Sequence, residues 1–308
     1  MTRRATPLYL RRIAALPCVA LILAASAWGH GAPTLAKIEQ AGMITLGYRV
    51  GSVPFSYLDE KLNPIGYSMD LCYRIVDAVK AKLKLRDLQV KLLAVTSATR
   101  IPLVANGTVD LECGVTTNTV ERQKSEAFSV TTFVAESRLL AKKSTPIESL
   151  GDLRGEPVAS TVGTTSIRYL HEVNLAQKLD MKILAGLDDA ESFQMVQSER
   201  AVAYVMDDVL LRSLVAAAKN PAEYHISAQS LSIEPYGIAL AKGDATFKQL
   251  VDDVLVGIFR SGEIHTIYHK WFQSPIPPKG INLQLPMGAA LKRAIAAPSD
   301  NPDPRHYE

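Results

Sequence analysis

The sequence predicts an α/β protein of two compact units, each a sheet flanked by helices. Three observations lead there. At 308 residues and 47% apolar content, the chain is longer than one hydrophobic core ordinarily serves. From residue 43 onward, strand-like and helix-like periods alternate, the pattern of a mostly parallel sheet covered by helices. A polar run, Lys142-Lys143-Ser144-Thr145-Pro146, then interrupts the alternation where a second unit would begin.

Ahead of the first strand, Arg3, Arg4, Arg11 and Arg12 precede an apolar run from Ile13 to Ala25. The run is short for a membrane span and suits a signal peptide, with Ala25-Ser26-Ala27 as the small-residue cleavage pattern. Residues 1–27 are therefore expected to be removed and the chain exported, starting near Trp28, with Gly29 to Ala32 as the alternative start. Cys18 lies inside the apolar run rather than at its end, which argues against a lipid anchor. Loss of four arginines and no acid changes the formal charge from +3 to 3 − 4 = −1. No later stretch approaches the roughly 18 apolar residues of a membrane helix. Charged residues make up 21% of the chain with both signs mixed, so no basic stripe for nucleic acid is present.

Met43 to Leu46 reads as the first strand. Cys72, Ile75, Val76, Val79 and Leu83 then recur at helical spacing, predicting a helix over Ser68 to Lys84. Val90 to Ala94 is strand-like, Ile101 to Asn106 a short helix closed by Gly107, and Val109 to Val115 a further strand. Thr116 to Thr119 opens a helical turn through Arg122. In the second unit, Pro157–Thr161, Met181–Ala185 and Val202–Met206 are strands; Thr165–Ala176 and Ser192–Arg200 are helices, and Asp207 or Asp208 caps the next one. Tyr236 to Ala241 is a strand, followed by a helix with an apolar face from Phe247 to Ile258, closed by Gly262. The tail from Pro298 offers little to bury and is expected to be loose. Cys72 and Cys113 lie in apolar surroundings that favour two buried thiols, while an oxidising compartment would let them pair if their Cα atoms approach within about 7 Å.

Several strings resemble family 3 of the periplasmic solute-binding proteins, and within it the glutamate/aspartate receptors of ABC importers. They are Ser52-Val53-Pro54-Phe55-Ser56-Tyr57, Gly66-Tyr67-Ser68-Met69-Asp70-Leu71, Thr117-Asn118 with Val120-Glu121-Arg122-Gln123, Gly163-Thr164-Thr165-Ser166, Met206-Asp207-Asp208 and Pro275-Ile276-Pro277-Pro278-Lys279. The resemblance implies a type II two-lobed fold joined by two crossover strands. Lobe 1 would comprise residues 35–138 and 230–290, lobe 2 residues 139–229, and a loose tail residues 291–308. It also implies a periplasmic monomer that closes around a free amino acid and delivers it to a membrane permease, with no cofactor, metal or catalysis.

An α-amino acid leaves water only if its carboxylate and ammonium both find charge-assisted partners. The resemblance assigns the carboxylate to Arg122, with Thr117 and Thr165 adding donors, and the ammonium to Asp207. Arg49 and Arg100, with Ser97 and Val115 nearby, match the side-chain site for a second carboxylate. Three arginines against one aspartate leave a surplus of 3 − 1 = +2, which favours glutamate or aspartate over neutral ligands. Asp189 stands where those receptors carry a histidine. It would repel a ligand carboxylate unless it points away or pairs with Arg49 or Arg100, or else the ligand is an amide such as glutamine.

A cyclohexadienyl-dehydratase-like enzyme on the same fold would need a general acid in the cleft, for which Glu112 and Glu121 are the candidates. His265 and His269, four apart on a helix, lack a third metal ligand.

Overall fold

A computed structural model describes residues 1–2, 33–145 and 147–308, so the expected signal segment and its cleavage site lie outside the described residues. Helix α1 (Thr34–Ala41) leads into β1 (Met43–Tyr48), whose central residues are all buried. Helix α2 (Tyr67–Leu83) covers it with the face read from the sequence: Leu71, Cys72, Ile75, Val76 and Val79 are buried. Next come β2 (Gln89–Ala94), α3 (Arg100–Ala105), β3 (Leu111–Glu112) and β4 (Glu126–Phe128). The strand expected over residues 109–115 pairs only at Leu111 and Glu112; a 3₁₀ turn at Arg122–Lys124 replaces the expected helical turn.

From β5 (Phe133–Lys142) the chain builds a second sheet through β6 (Pro157–Thr161), α4 (Thr165–Gln177), β7 (Lys182–Gly186), α5 (Asp189–Gln197), β8 (Ala203–Asp207), α6 (Asp208–Ala217), β9 (Tyr224–Ile226) and β10 (Ser232–Tyr236). It returns through β11 (Ala239–Ala241) and ends in α7 (Ala245–Ser261), α8 (Glu263–Phe272) and α9 (Ala289–Ala296). The first sheet has the order β2-β1-β3-β11-β4; the second runs β7-β6-β8-β5-β9, with β10 also on β5. Strands β1, β2 and β3 are parallel, as are β6, β7 and β8, while β5 and β11 pair antiparallel with their neighbours. A separate antiparallel ribbon joins Gly51–Ser52, Ser56–Leu58 and Pro64–Ile65.

The chain changes sheet twice, between β4 and β5 and between β10 and β11. The two crossings lie side by side: the Ser129 N–H donates to the Ile238 carbonyl and the Thr132 N–H to the Tyr236 carbonyl, both at 2.9 Å. Phe55, Phe133, Tyr236 and Phe272 pack around them, with Phe55 edge-on to Phe133 at 4.9 Å between ring centres. Such buried aromatic contacts add to area burial and fix the floor between the two sheets.

Three expectations are corrected. The strand anticipated over Tyr236–Ala241 is two strands on different sheets, because the second crossing falls at Gly237. The tail is packed: Tyr307 is buried, its hydroxyl lies 2.7 Å from Thr131 Oγ1, and the Ser299 carbonyl accepts from the Thr131 N–H. Its aromatic ring and the apolar face of α9, with Leu291 buried, outweigh its polar composition. Cys72 and Cys113 form a disulfide with Cα atoms 6.1 Å apart, tying α2 to the segment after β3. The bridge closes a 41-residue separation, so replacing both cysteines by alanine should cost about 2–4 kcal/mol. Urea unfolding of the double variant against wild type measures that loss.

Candidate functional site

Parallel strands of open α/β sheets present ligands at their carboxyl ends, and that is where the charged residues gather. Arg49 follows β1, Thr161 ends β6 and Asp207 ends β8. A small cavity lies between the sheets, walled by Arg49, Ser97, Arg100, Val115 and Thr117 from one side and Thr164, Thr165, Asp189, Met206, Asp207 and Leu210 from the other. Eight of the nine residues singled out from the sequence stand in this wall; Arg122 does not. Arg122 sits at the edge, donating from Nη1 to the Thr117 carbonyl at 2.7 Å and from Nη2 to the Gly163 carbonyl at 3.3 Å. Two of its five N–H groups are thus engaged.

Arg49 and Arg100 are 4% and 2% exposed. Arg100 Nη1 donates to the Val115 carbonyl at 2.7 Å, whereas Arg100 Nε and Arg49 Nη1 are buried without a protein partner. Burial, and then neighbouring Arg122, push the Arg100 guanidinium down to about 9, with Glu112 pulling the other way. A guanidinium keeps its proton in proteins, so the depression reflects burial of this charge beside the like charges of Arg122 and Arg49.

Asp207 occupies the N-cap position of α6 but makes no cap bond. Its Oδ2 instead accepts from the Tyr236 hydroxyl, and its buried Oδ1 has no partner in the protein. Burial and then Glu234 push this carboxyl well above its ordinary range, against the lowering effect of the tyrosine bond. On the same wall, Thr165 Oγ1 donates to Glu234 Oε2 at 2.7 Å. Thr164 caps α4, accepting the Ile167 N–H at 3.2 Å, so the first turn of a 13-residue helix opens beside the cavity, a placement favourable to anions.

Asp189 does not pair with either arginine. Its Oδ1 accepts from the Thr161 hydroxyl at 2.8 Å and the Tyr204 hydroxyl at 3.1 Å, while the residue still lines the cavity. Helix α5 begins at Asp189, three residues earlier than the sequence suggested, because Asp188 caps it by accepting the Glu191 N–H at 2.8 Å. The charge count changes accordingly: Arg49, Arg100 and Arg122 against Asp189 and Asp207 give 3 − 2 = +1.

Glu112, considered from the sequence only as a proton donor, is 1% exposed; its Oε2 accepts from the Thr116 hydroxyl at 2.6 Å and its Oε1 is unpartnered. It runs beside Arg49 past Gly114, where a Cβ would fall 2.2 Å from Glu112 Oε1 and 2.9 Å from Arg49 Cγ, so only glycine lets both side chains pass. Glu121, the other candidate acid, is an exposed partner of Lys124 at 2.5 Å. His265 and His269 lie on exposed positions of α8. The sequence strings around Gly163 and Met206 signalled Thr164 and Met206, but nothing local signalled Tyr236 or Tyr204, which reach the site across the fold.

Residues 44–274 match the model of the bacterial extracellular solute-binding proteins, family 3. The L-glutamate/L-aspartate-binding protein of Pseudomonas aeruginosa is 51% identical over 268 residues, 87% of this chain and 89% of that protein. The glutamate/aspartate import solute-binding protein of Escherichia coli K12 is 46% identical over 267 residues, 87% of this chain and 88% of its own. Among solved structures, an ancestral amino-acid-binding protein, a precursor of cyclohexadienyl dehydratase, superposes with a TM-score of 0.67 at 28% identity, covering 79% of this chain and all of the other. Two helix-flanked sheets joined by paired crossings, with a charged cavity between them, agree with that family's two-lobed fold: the chain belongs to the bacterial extracellular solute-binding proteins of family 3.

Proposed function

We propose that this chain is the periplasmic receptor of an ABC amino-acid importer and that it closes around free glutamate or aspartate. The observation that carries this reading is the pair of buried guanidiniums, Arg49 and Arg100, each with an N–H-bearing nitrogen unpartnered by the protein on one small cavity. Leaving such charge unpaired is costly, and a ligand side-chain carboxylate would relieve it. The spare N–H groups of Arg122 suit the α-carboxylate, and Asp207 Oδ1 suits the ammonium. The similarity to glutamate/aspartate-binding relatives supports the same ligand class, and a membrane permease is the corresponding partner. Export follows from the N-terminal pattern. Binding rather than catalysis is supported because neither Glu121, which is exposed, nor Glu112 is part of the cavity wall.

A thermal-shift panel of free amino acids on protein stripped of ligand tests the proposal. A ligand that binds only the folded state, at about 100 times its dissociation constant, adds about 2.7 kcal/mol. Glutamate and aspartate should give the largest shifts; no shift with any amino acid contradicts the receptor assignment.

The state of Asp207 adds a pH dependence. Because its carboxyl is raised in the fold, it contributes stability below the ordinary carboxylate range, and that contribution is lost as pH rises through the raised value. A ligand ammonium favours the ionised form, so binding releases a proton and affinity should fall as pH is lowered through the raised value. Titrations at successively lower pH should show a flatter slope for Asp207→Asn.

A further inference from the structure

We propose that Gly163 is a positioning residue that sets how far the two lobes close, and thereby the affinity for any amino acid held between them. Gly163 lies between β6 and α4 of the second sheet, with φ +77°. A Cβ built on it would stand 2.7 Å from the Ala98 Cα, the Ala98 nitrogen and the Ser97 carbonyl carbon, all backbone of the turn that joins β2 to α3 at the first sheet. Side chains can swing aside from such a contact; these atoms can do so only if a loop moves.

Neither loop is free to yield. On one side, the Val162 N–H donates to the Gly186 carbonyl at 2.9 Å, and Thr164 Oγ1 donates to the Thr161 carbonyl at 2.6 Å while capping α4. On the other, the Thr96 N–H donates to Thr99 Oγ1 at 2.9 Å, and the Arg100 N–H to the Thr96 carbonyl at 3.1 Å. Two pinned turns therefore meet at a residue with no side chain, and a methyl group there would act as a wedge between the lobes.

The same glycine also carries a polar contact across the cleft. Its carbonyl accepts from Arg122 Nη2, whose Nη1 is tied to the Thr117 carbonyl on the first lobe. A ligand carboxylate on the remaining N–H groups of Arg122 would hold that guanidinium in place, so ligand capture and lobe closure share one residue pair. Ser97 and Thr164, which flank the contact, both line the cavity, so a wedge at Gly163 would draw opposite walls apart. In a receptor whose closed form is favoured by contacts bridging the lobes, losing that approach lowers affinity without removing any ligand-contacting group.

This inference rests on the proposed receptor function, and the fold supplies its control. Gly155 in the same lobe also has φ +77°, but nothing lies within 4 Å of a Cβ built there. Gly163→Ala and Gly155→Ala thus share the backbone strain of a non-glycine residue at positive φ and differ in the wedge. Calorimetric titration with glutamate and aspartate, with small-angle scattering before and after saturation, reads both effects. Expected is a dissociation constant within about 3-fold of wild type for Gly155→Ala, and one raised about 100-fold or more for Gly163→Ala, with the ligand-induced fall in radius of gyration lost, as for two states whose bridging contacts differ by several hydrogen bonds. Melting temperatures of the two ligand-free variants should be similar. Wild-type binding together with equally tight binding and full compaction by Gly163→Ala overturns this proposal alone; no amino-acid binding by wild type overturns the receptor assignment and this proposal with it.

Discussion

Replacing Arg122 by alanine is expected to abolish binding of acidic and neutral amino acids alike. Every α-amino acid carries the same carboxylate, and Arg122 is the guanidinium placed where both lobes meet, between the Thr117 and Gly163 carbonyls. Truncating one member of a buried, hydrogen-bonded charge pair costs about 2–5 kcal/mol, or about 30-fold to several thousand-fold in affinity. Arg122→Lys keeps the charge and loses the planar fork, so an intermediate loss is expected. Titration calorimetry with glutamate, aspartate and glutamine checks this; binding by Arg122→Ala within about 10-fold of wild type would contradict the role assigned to it.

Arg100→Ala should produce a different pattern, hurting acidic ligands most. The residue is 2% exposed, and its charge is buried near the like charges of Arg122 and Arg49. Its loss also frees the Val115 carbonyl, which lines the same cavity. The diagnostic quantity is therefore the ratio of glutamate to glutamine affinity, which should fall by about 10- to 100-fold, equivalent to about 1.4–2.8 kcal/mol. Asp189→Asn should move the same ratio the other way, because it removes a negative charge from the cavity wall while the Thr161 and Tyr204 hydroxyls can still donate to the amide oxygen. Equal losses of both ligands in Arg100→Ala would refute the division of labour between Arg100 and Arg122.

Local patterns in the sequence carried most of the fold. The apolar stripe of α2 and the strands β6 and β8 follow from periodicity within a few residues, and Gly262 closes α7 with its N–H on the Phe259 carbonyl, as its position implied. What periodicity could not show was pairing at a distance. The split of β10 from β11 depends on Gly237 lying beside Ser129, and the packed tail depends on Tyr307 finding Thr131, 176 residues away. The disulfide depends on α2 bringing Cys72 to Cys113, which apolar neighbours alone made look like two separate thiols.

Within the site, the strings that carry the family resemblance located the cavity wall but left its electrostatics open. Asp207 was legible as an acid at a strand end. That it binds Tyr236 rather than capping α6 was not, since the two lie 29 residues apart on different strands. Asp189 was legible as a departure, yet its hydroxyl partners come from β6 and β8 rather than from the arginines considered for it. Glu112 is a further buried acid at the site, and only the close approach over Gly114 reveals that it runs beside Arg49.

The most direct test is a calorimetric titration of ligand-stripped wild-type protein with glutamate, aspartate, glutamine and asparagine in turn. The expected result is saturable binding of one glutamate or one aspartate per chain, with each amide at least about 10-fold weaker, a difference of about 1.4 kcal/mol. Tighter binding of glutamine than of glutamate would contradict acidic specificity and point to Asp189 as the group that overrides Arg49 and Arg100.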